Sequence, residues 1–165
     1  MELRRLWRHL LMSPTRERLA FPHATLDAIQ REIAAQEHAH GGQVVLVVEA
    51  ELSTAQLWHE VGSRERARQV FAQHGVWNTE HNNGVLVYLL LADRRVEIVA
   101  DRGIDARVAP AEWHAICRMM EEHFRAGRYQ EGAIAGVRAV SALLARHFPG
   151  GRRGPNELPD RPVLI

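Results

Sequence analysis

Apolar residues recur at helical spacing over residues 3–12, where Leu3, Leu6, Trp7, Leu10 and Leu11 share a face and Arg4, Arg5 and Arg8 sit among them. Pro14 closes that segment. The next helical pattern covers 23–39, with Leu26, Ile29 and Ile33 on one face, and the glycines of HGG at 40–42 end it. The pattern then changes. Val44 to Val48 is a short unbroken apolar run rich in β-branched residues, the mark of a buried strand. Ser53 and Gln56 have capping-box spacing ahead of Leu57, Trp58 and Val61, which makes Ser53 a helix cap rather than a nucleophile. A further helix over 64–74 buries Ala67, Val70 and Phe71 and turns Arg64, Glu65, Arg66 and Arg68 to solvent.

After a loop at 75–83, Gly84 opens the run VLVYLLL at 85–91, and VEIVA at 96–100 returns after Asp93, Arg94 and Arg95. So short a connection forces an antiparallel hairpin. The strand at 44–48 reaches 85–91 through a long helical crossover, which predicts a parallel, right-handed βαβ unit. Two amphipathic helices follow. Over 110–126, Trp113, Ile116, Cys117, Met120 and Phe124 share a face; over 129–147, Ala133, Val137, Val140 and Leu144 do. The fold class is therefore α/β, with a small mixed sheet and helices for its faces. Residues 1–149 read as one domain carrying the N-terminal helix at 3–12. Residues 150–165 form an extended or partly disordered tail, in which Val163 to Ile165 favour a strap packed on the domain.

Charge adds little: the net value is +1, no argument for nucleic acid. Every one of the 21 basic residues is arginine, which removes Schiff-base and phosphate-loop lysine chemistry. A single cysteine, Cys117, permits no internal disulfide, suggests a reducing compartment and reads as a packed helix residue. No stretch has the form of a signal peptide or approaches a membrane span. The expected location is the cytoplasm.

Ten histidines invite a metal search, but none of His38, His40, His74, His81, His114 and His123 has zinc-site spacing. No phosphate-binding loop, dinucleotide fingerprint or nucleophile elbow occurs. The oxygen-bearing residues are better placed. Glu49, Glu51 and Asp93 follow the C-terminal ends of the parallel strands, where open α/β sheets bind ligands, and the helix after Ser53 favours an anion there. Asn82, Asn83 and Asp101 fall at the opposite edge. Either group offers part of the oxygen set that Ca²⁺ or Mg²⁺ requires. Each residue also has a structural reading. Asp93 suits a turn, Asn82 and Asn83 satisfy loop backbone, Asp101 caps the turn at Gly103, and Arg102 pairs with Asp105 or the tail.

The stretch NNGVLVYLLLADRRVEIVADRGI, with RERARQVFAQHGVWNTEHNNGVL upstream and WHAICRMMEEHFRAGRYQEGAIAGVRAVSALLARHFP downstream, resembles the TPM domain family over residues 21–149. The resemblance implies a three-layer α/β/α sandwich around a small mixed sheet. It implies divalent-cation binding, often calcium, through acids and asparagines near the sheet ends, and phosphatase activity has been attributed to the family. Asn82, Asn83 and Gly84 match the start of the strand, and Asp93 and Arg94 match the hairpin turn. At Asp101 many members carry a glycine-rich stretch instead. With neither signal peptide nor membrane segment, the chain resembles a soluble branch.

Two functional expectations follow. The first is a divalent-cation-dependent phosphomonoester hydrolase of unknown substrate, with Asp93, Arg94 and Arg102 at the reacting group and Asn82, Asn83, Asp101 and Glu49 toward the cation. The second is a non-catalytic cation-binding or protein-interaction domain that meets a protein partner through the N-terminal helix or the tail. A third, association of Arg4, Arg5 and Arg8 with anionic membrane, rests on the first helix alone.

Overall fold

A computed structural model describes residues 3–151 and 154–165. Its elements run α1 (Leu3–Leu11), α2 (Pro14–Ala20), α3 (His23–Gln36), β1 (Gln43–Glu49), α4 (Thr54–Trp58), α5 (Ser63–Gln73), β2 (Gly84–Leu90), β3 (Arg95–Ala100), α6 (Arg102–Asp105), α7 (Pro110–Arg125), α8 (Tyr129–His147) and β4 (Val163–Leu164). The sheet order is β3-β2-β1-β4. β1 runs parallel to β2 with Gln43 opposite Gly84 and Glu49 opposite Leu90, and β2 runs antiparallel to β3.

Alternation along the strands divides the core in two. Val44, Leu46, Val48, Val85, Val87 and Leu89 face α3, α7 and α8, where Ile29, Met120, Val137 and Leu144 close the layer. Val45, Val47, Leu86, Tyr88 and Leu90 face the other way, against Leu57, Ala67 and Val70 of α4 and α5. Helices thus cover both faces of a mixed sheet, which is the three-layer architecture.

Three elements depart from the sequence pattern. Pro14 does close α1, but it also opens α2 at its first position, with the Ser13 hydroxyl accepting from Arg16 N–H at 3.4 Å. A proline there loses only an N–H that a helix start leaves unpaired. The ADRGID stretch is not a simple turn: Asp101 caps the one-turn helix α6. The tail returns to the sheet, and Val163 and Leu164 pair in parallel with Val47 and Val48. Leu158 is buried along the way, and Gln43 Oε1 accepts from the Glu157 and Leu158 N–H groups at 3.0 Å each. Among the described residues no helix is long and apolar enough to cross a membrane.

Candidate functional site

The two ends of the parallel strands hold different chemistry. At the end where β1 and β2 begin, the antiparallel pairing sets Asp101 beside the start of β2, and its N–H donates to Gly84 O at 2.8 Å. Asn83 stands one residue earlier, its carbonyl accepting from Gln43 N–H at 2.9 Å. Its amide nitrogen donates to Gly41 O at 2.6 Å, which fixes the side chain and leaves Oδ1 buried with no partner. Asp101 is split likewise. Oδ1 accepts from Arg102 N–H at 2.7 Å as a helix cap, while Oδ2 is buried and unpaired.

The backbone is tight around these two oxygens. A Cβ on Gly84 would stand 2.1 Å from Val76 O, and one on Gly103 would stand 2.5 Å from Asn82 O. Both glycines are thus dictated by close approach of a neighbouring carbonyl. Asn82 adopts a left-handed conformation at φ 50°, which asparagine tolerates better than most residues. A cavity of about 490 Å³ opens here, with Asn82, Asn83, His81, Arg107 and His147 on its walls. The Arg107 guanidinium stacks 4.9 Å over the Phe148 ring, and His147 Nε2 is buried without a partner.

At the opposite end Glu49 and Asp93 are saturated. Glu49 receives a two-pronged grip from Arg66, Nε to Oε2 at 2.9 Å and Nη2 to Oε1 at 2.9 Å, and the Tyr88 hydroxyl donates to Oε2 at 2.6 Å. Burial, reinforced by that carboxylate, pushes the Tyr88 phenol far above its ordinary range. Asp93 sits at the hairpin turn beneath α1. Arg5 Nε donates to Oδ2 at 2.9 Å, and Arg8 Nη2 donates to Oδ1 at 3.2 Å. The fully buried His9 ring accepts from Leu52 N–H at Nδ1, 2.9 Å, which places the proton of the neutral ring on Nε2, and Nε2 faces Asp93 Oδ1 at 3.2 Å. Burial pushes the Asp93 carboxyl up, but the His9 and Arg5 contacts outweigh it and hold the group down at about 2. Nearby Glu17 of α2 is raised by burial, with one oxygen unpaired.

The predicted residues therefore separate. Asn82, Asn83 and Asp101 come together at one end. Glu49, Asp93 and Arg94 lie at the other, about seven strand residues away, or roughly 20 Å. The sequence expectation that Glu49 joins the cation ligands is corrected: both its oxygens are committed to Arg66 and Tyr88, and it occupies the wrong edge. Asp93, expected at the reacting group, is committed to Arg5, Arg8 and His9. Arg102 stands on the surface and is not on the cavity wall, whereas Arg107, five residues on, is. Glu51 is exposed.

Arg107 and His147 carry no signal in the sequence beyond their closeness to Asp101 and the end of α8, and His81 stands there only as a histidine without zinc-site spacing. Arg5, expected on a free basic helix face, and Arg66, expected in solvent, instead grip Asp93 and Glu49 across 88 and 17 residues of chain, and His9 reaches Asp93 across 84. Among the described residues no three His, Cys, Asp or Glu side chains form a metal-binding group. Buried Cys117 is pushed up to about 12, first by burial and then by the charges of Glu97 and Glu121. That suits packing and not nucleophilic attack.

Fold and site define an α/β/α domain with a cleft at one sheet end, walled by asparagine, histidine and arginine, beside two buried unpaired oxygens. A family model for the TPM domain matches residues 17–143, and the chain belongs to that family. Its fold is similar to that of the BA42 protein from the psychrophilic bacterium Bizionia argentinensis: TM-score 0.74, 25% identity, covering 86% of this chain and 93% of that one. It is also similar to the N-terminal domain of a protein from P. gingivalis: TM-score 0.61, 24% identity, covering 81% of this chain and 82% of that one. No curated protein matches the chain.

Proposed function

We propose that the chain is a divalent-cation-dependent phosphomonoester hydrolase whose site is the cavity beside Asn83 and Asp101. The observation that carries this reading is the pair of buried, unpaired oxygens, Asn83 Oδ1 and Asp101 Oδ2, at one strand end. A buried acceptor left unpaired costs about 1–3 kcal/mol, and a bound cation relieves that cost. The donors are hard oxygens carrying one negative charge, which fits Mg²⁺ or Ca²⁺ rather than zinc. The name of the matching family model also carries the word phosphatase.

Asn83, Asp101 and the neighbouring Asn82 would hold the cation, with water and substrate oxygens completing its shell. Bound there, it supplies charge that polarises a phosphoryl oxygen. The remaining roles fall to this chain's own side chains. Arg107, fixed over Phe148, offers its guanidinium fork to the non-bridging oxygens. His81 and His147, on the same cavity, are placed to take a proton from attacking water and to give one to the departing alkoxide. The phosphorus–alkoxide bond breaks as the phosphorus–water bond forms, and the products are an alcohol and inorganic phosphate.

The test is hydrolysis of para-nitrophenyl phosphate with Mg²⁺, with Ca²⁺ and with chelator. Asp101→Asn keeps a cap for α6 and loses the charge. The expected result is cation-dependent turnover that falls about 100-fold in Asp101→Asn and Arg107→Ala, the top of the range for metal-site losses and the bottom of that for electrostatic ones. Turnover no greater than that of Asp101→Asn would overturn the catalytic reading. The second reading, a non-catalytic cation-binding domain, draws on the same two oxygens. Under it, calcium raises the melting temperature of the wild-type chain, not of Asp101→Asn, and no turnover is seen.

A further inference from the structure

We propose that the cavity at the hairpin end is a second site, which binds a phosphate-type dianion. The cavity measures about 540 Å³ and is lined by five arginines: Arg5, Arg8, Arg94, Arg95 and Arg125. They arrive from three directions: α1, the β2–β3 turn with the start of β3, and the end of α7. Two carboxylates hold four of them. Asp93 takes Arg5 and Arg8, and Glu121 takes Arg125 at 3.0 Å and Arg95 at 3.6 Å. The Arg94 backbone N–H donates to Leu91 O at 3.0 Å, but its guanidinium has no hydrogen-bond or ion-pair partner among the described residues.

Gly62 and Ser63 complete the wall. They open the eleven-residue α5, whose first turn receives no side-chain cap and adds N–H donors to the arginine set. Glu97 is the further acid nearby, and it is occupied by the Ser63 hydroxyl at 2.6 Å and Arg64 at 3.8 Å. Charge is thus in surplus and pre-oriented, because the acids pin the guanidinium forks instead of filling the space between them. Forks converging on one volume match the several oxygens of a phosphate group. The volume admits that group with a small body attached. A single dianion cannot serve this site and the Asn83–Asp101 end together, since β2 separates them by roughly 20 Å.

The backbone gives a second, independent sign. Arg94 is held in a left-handed conformation at φ 52°. Hairpin turns ordinarily place glycine at such a position. Here the strain is borne by the pocket arginine whose side chain has no partner among the described residues.

The phosphate can come from a soluble compound or from a lipid headgroup. Leu3, Trp7, Leu10 and Leu11 of α1 are exposed beside the cavity and give the lipid source a physical route. The full chain is titrated with pyrophosphate in phosphate-free buffer and followed by backbone amide resonances. In parallel it is sedimented with phosphatidylcholine vesicles with and without phosphatidic acid.

The expected result is saturable shifts centred on Ser63, Arg94 and Arg95. Arg94→Gly and Arg125→Ala should each weaken binding about tenfold, and Asp101→Asn should leave it unchanged. Sedimentation with phosphatidate vesicles that both arginine substitutions abolish assigns the headgroup; pyrophosphate binding without sedimentation assigns a soluble compound. Shifts that never saturate, or that survive both substitutions, overturn the proposal. So does vesicle association lost only in Trp7→Ser. Arg94→Gly relieves the backbone, so misfolding does not account for a loss in that variant.

Discussion

The two ends of the sheet carry similar side chains in opposite electrical states. At the hairpin end Glu49 and Asp93 are enclosed by Arg66, Arg5 and Arg8, and each carboxylate oxygen meets a guanidinium, hydroxyl or imidazole. At the other end Asn83 and Asp101 are equally buried, yet each keeps one oxygen with no partner. Among Glu49, Asp93 and Asp101, burial does not separate one role from the other; the state of the acceptors does. A fully paired carboxylate works for the fold, whereas a buried unpaired one is an unmet demand that a ligand can meet. The surplus is also of opposite sign, oxygen at one end and guanidinium at the other.

The sharpest way to break this contrast is to remove a paired acid. Glu49→Ala leaves Arg66 with its guanidinium buried and unmatched, and should cost about 3–5 kcal/mol. Urea denaturation measures that loss, and calcium affinity should not change. If Glu49→Ala abolished calcium binding in a folded protein, the separation of the two ends would be wrong.

Asp93 gives the next effect, and it can be removed by acid as well as by mutation. Against the push of burial, the His9 and Arg5 contacts hold the folded carboxyl down at about 2, below its ordinary 3.8. A depressed pKa contributes stability that is complete above the unfolded value and lost as pH falls through the folded one. The contribution is about 1–2 kcal/mol, after allowance for the solvent that reaches Arg8. Wild-type stability should fall by that amount between pH 5 and about 2. Asp93→Asn should lose about as much at pH 7 and show a flatter acid limb. Parallel acid limbs in the two proteins would remove Asp93 from the account.

How much of this was legible in the chain depends on the range of the contacts. The strands and main helices were, because periodicity is local: Val44 to Val48 and the face from Trp113 to Phe124 needed no distant partner. The grouping of Asn82, Asn83 and Asp101 was also legible, since one hairpin places them. What was not legible depends on α1 folding back over the sheet end. Asp93 reads as a turn residue until Arg5 and His9 arrive from the far end of the chain. Glu49 reads as available until Arg66 and Tyr88 close on it. Charge pairs across 17 to 88 residues leave no periodic trace. Likewise β4 was hidden in a proline-rich tail, because two paired residues are too few to make a pattern.

At the Asn83–Asp101 end the contrast predicts little change in stability and a large change in binding. Asp101→Asn should stay within about 1 kcal/mol of wild type, because asparagine can cap α6 and one buried charge is removed. Calcium or magnesium should then fail to raise its melting temperature. A loss of several kcal/mol in the absence of cation would mean that Asp101 serves the fold as Glu49 does.

The smallest effect has the opposite sign. Arg94 occupies a left-handed position at φ 52°, which costs a residue with a Cβ about 1 kcal/mol relative to glycine. If the arginine served the fold, replacing it would destabilise the protein. Because its side chain has no partner among the described residues, Arg94→Gly should instead stabilise by about 0.5–1 kcal/mol. That is a shift of a few degrees in thermal unfolding for a domain of this size. A stabilised variant that also loses pyrophosphate binding would tie the strain to the site. A destabilised Arg94→Gly would mean that the side chain makes a contact holding the hairpin, and the cationic end would then be structural throughout.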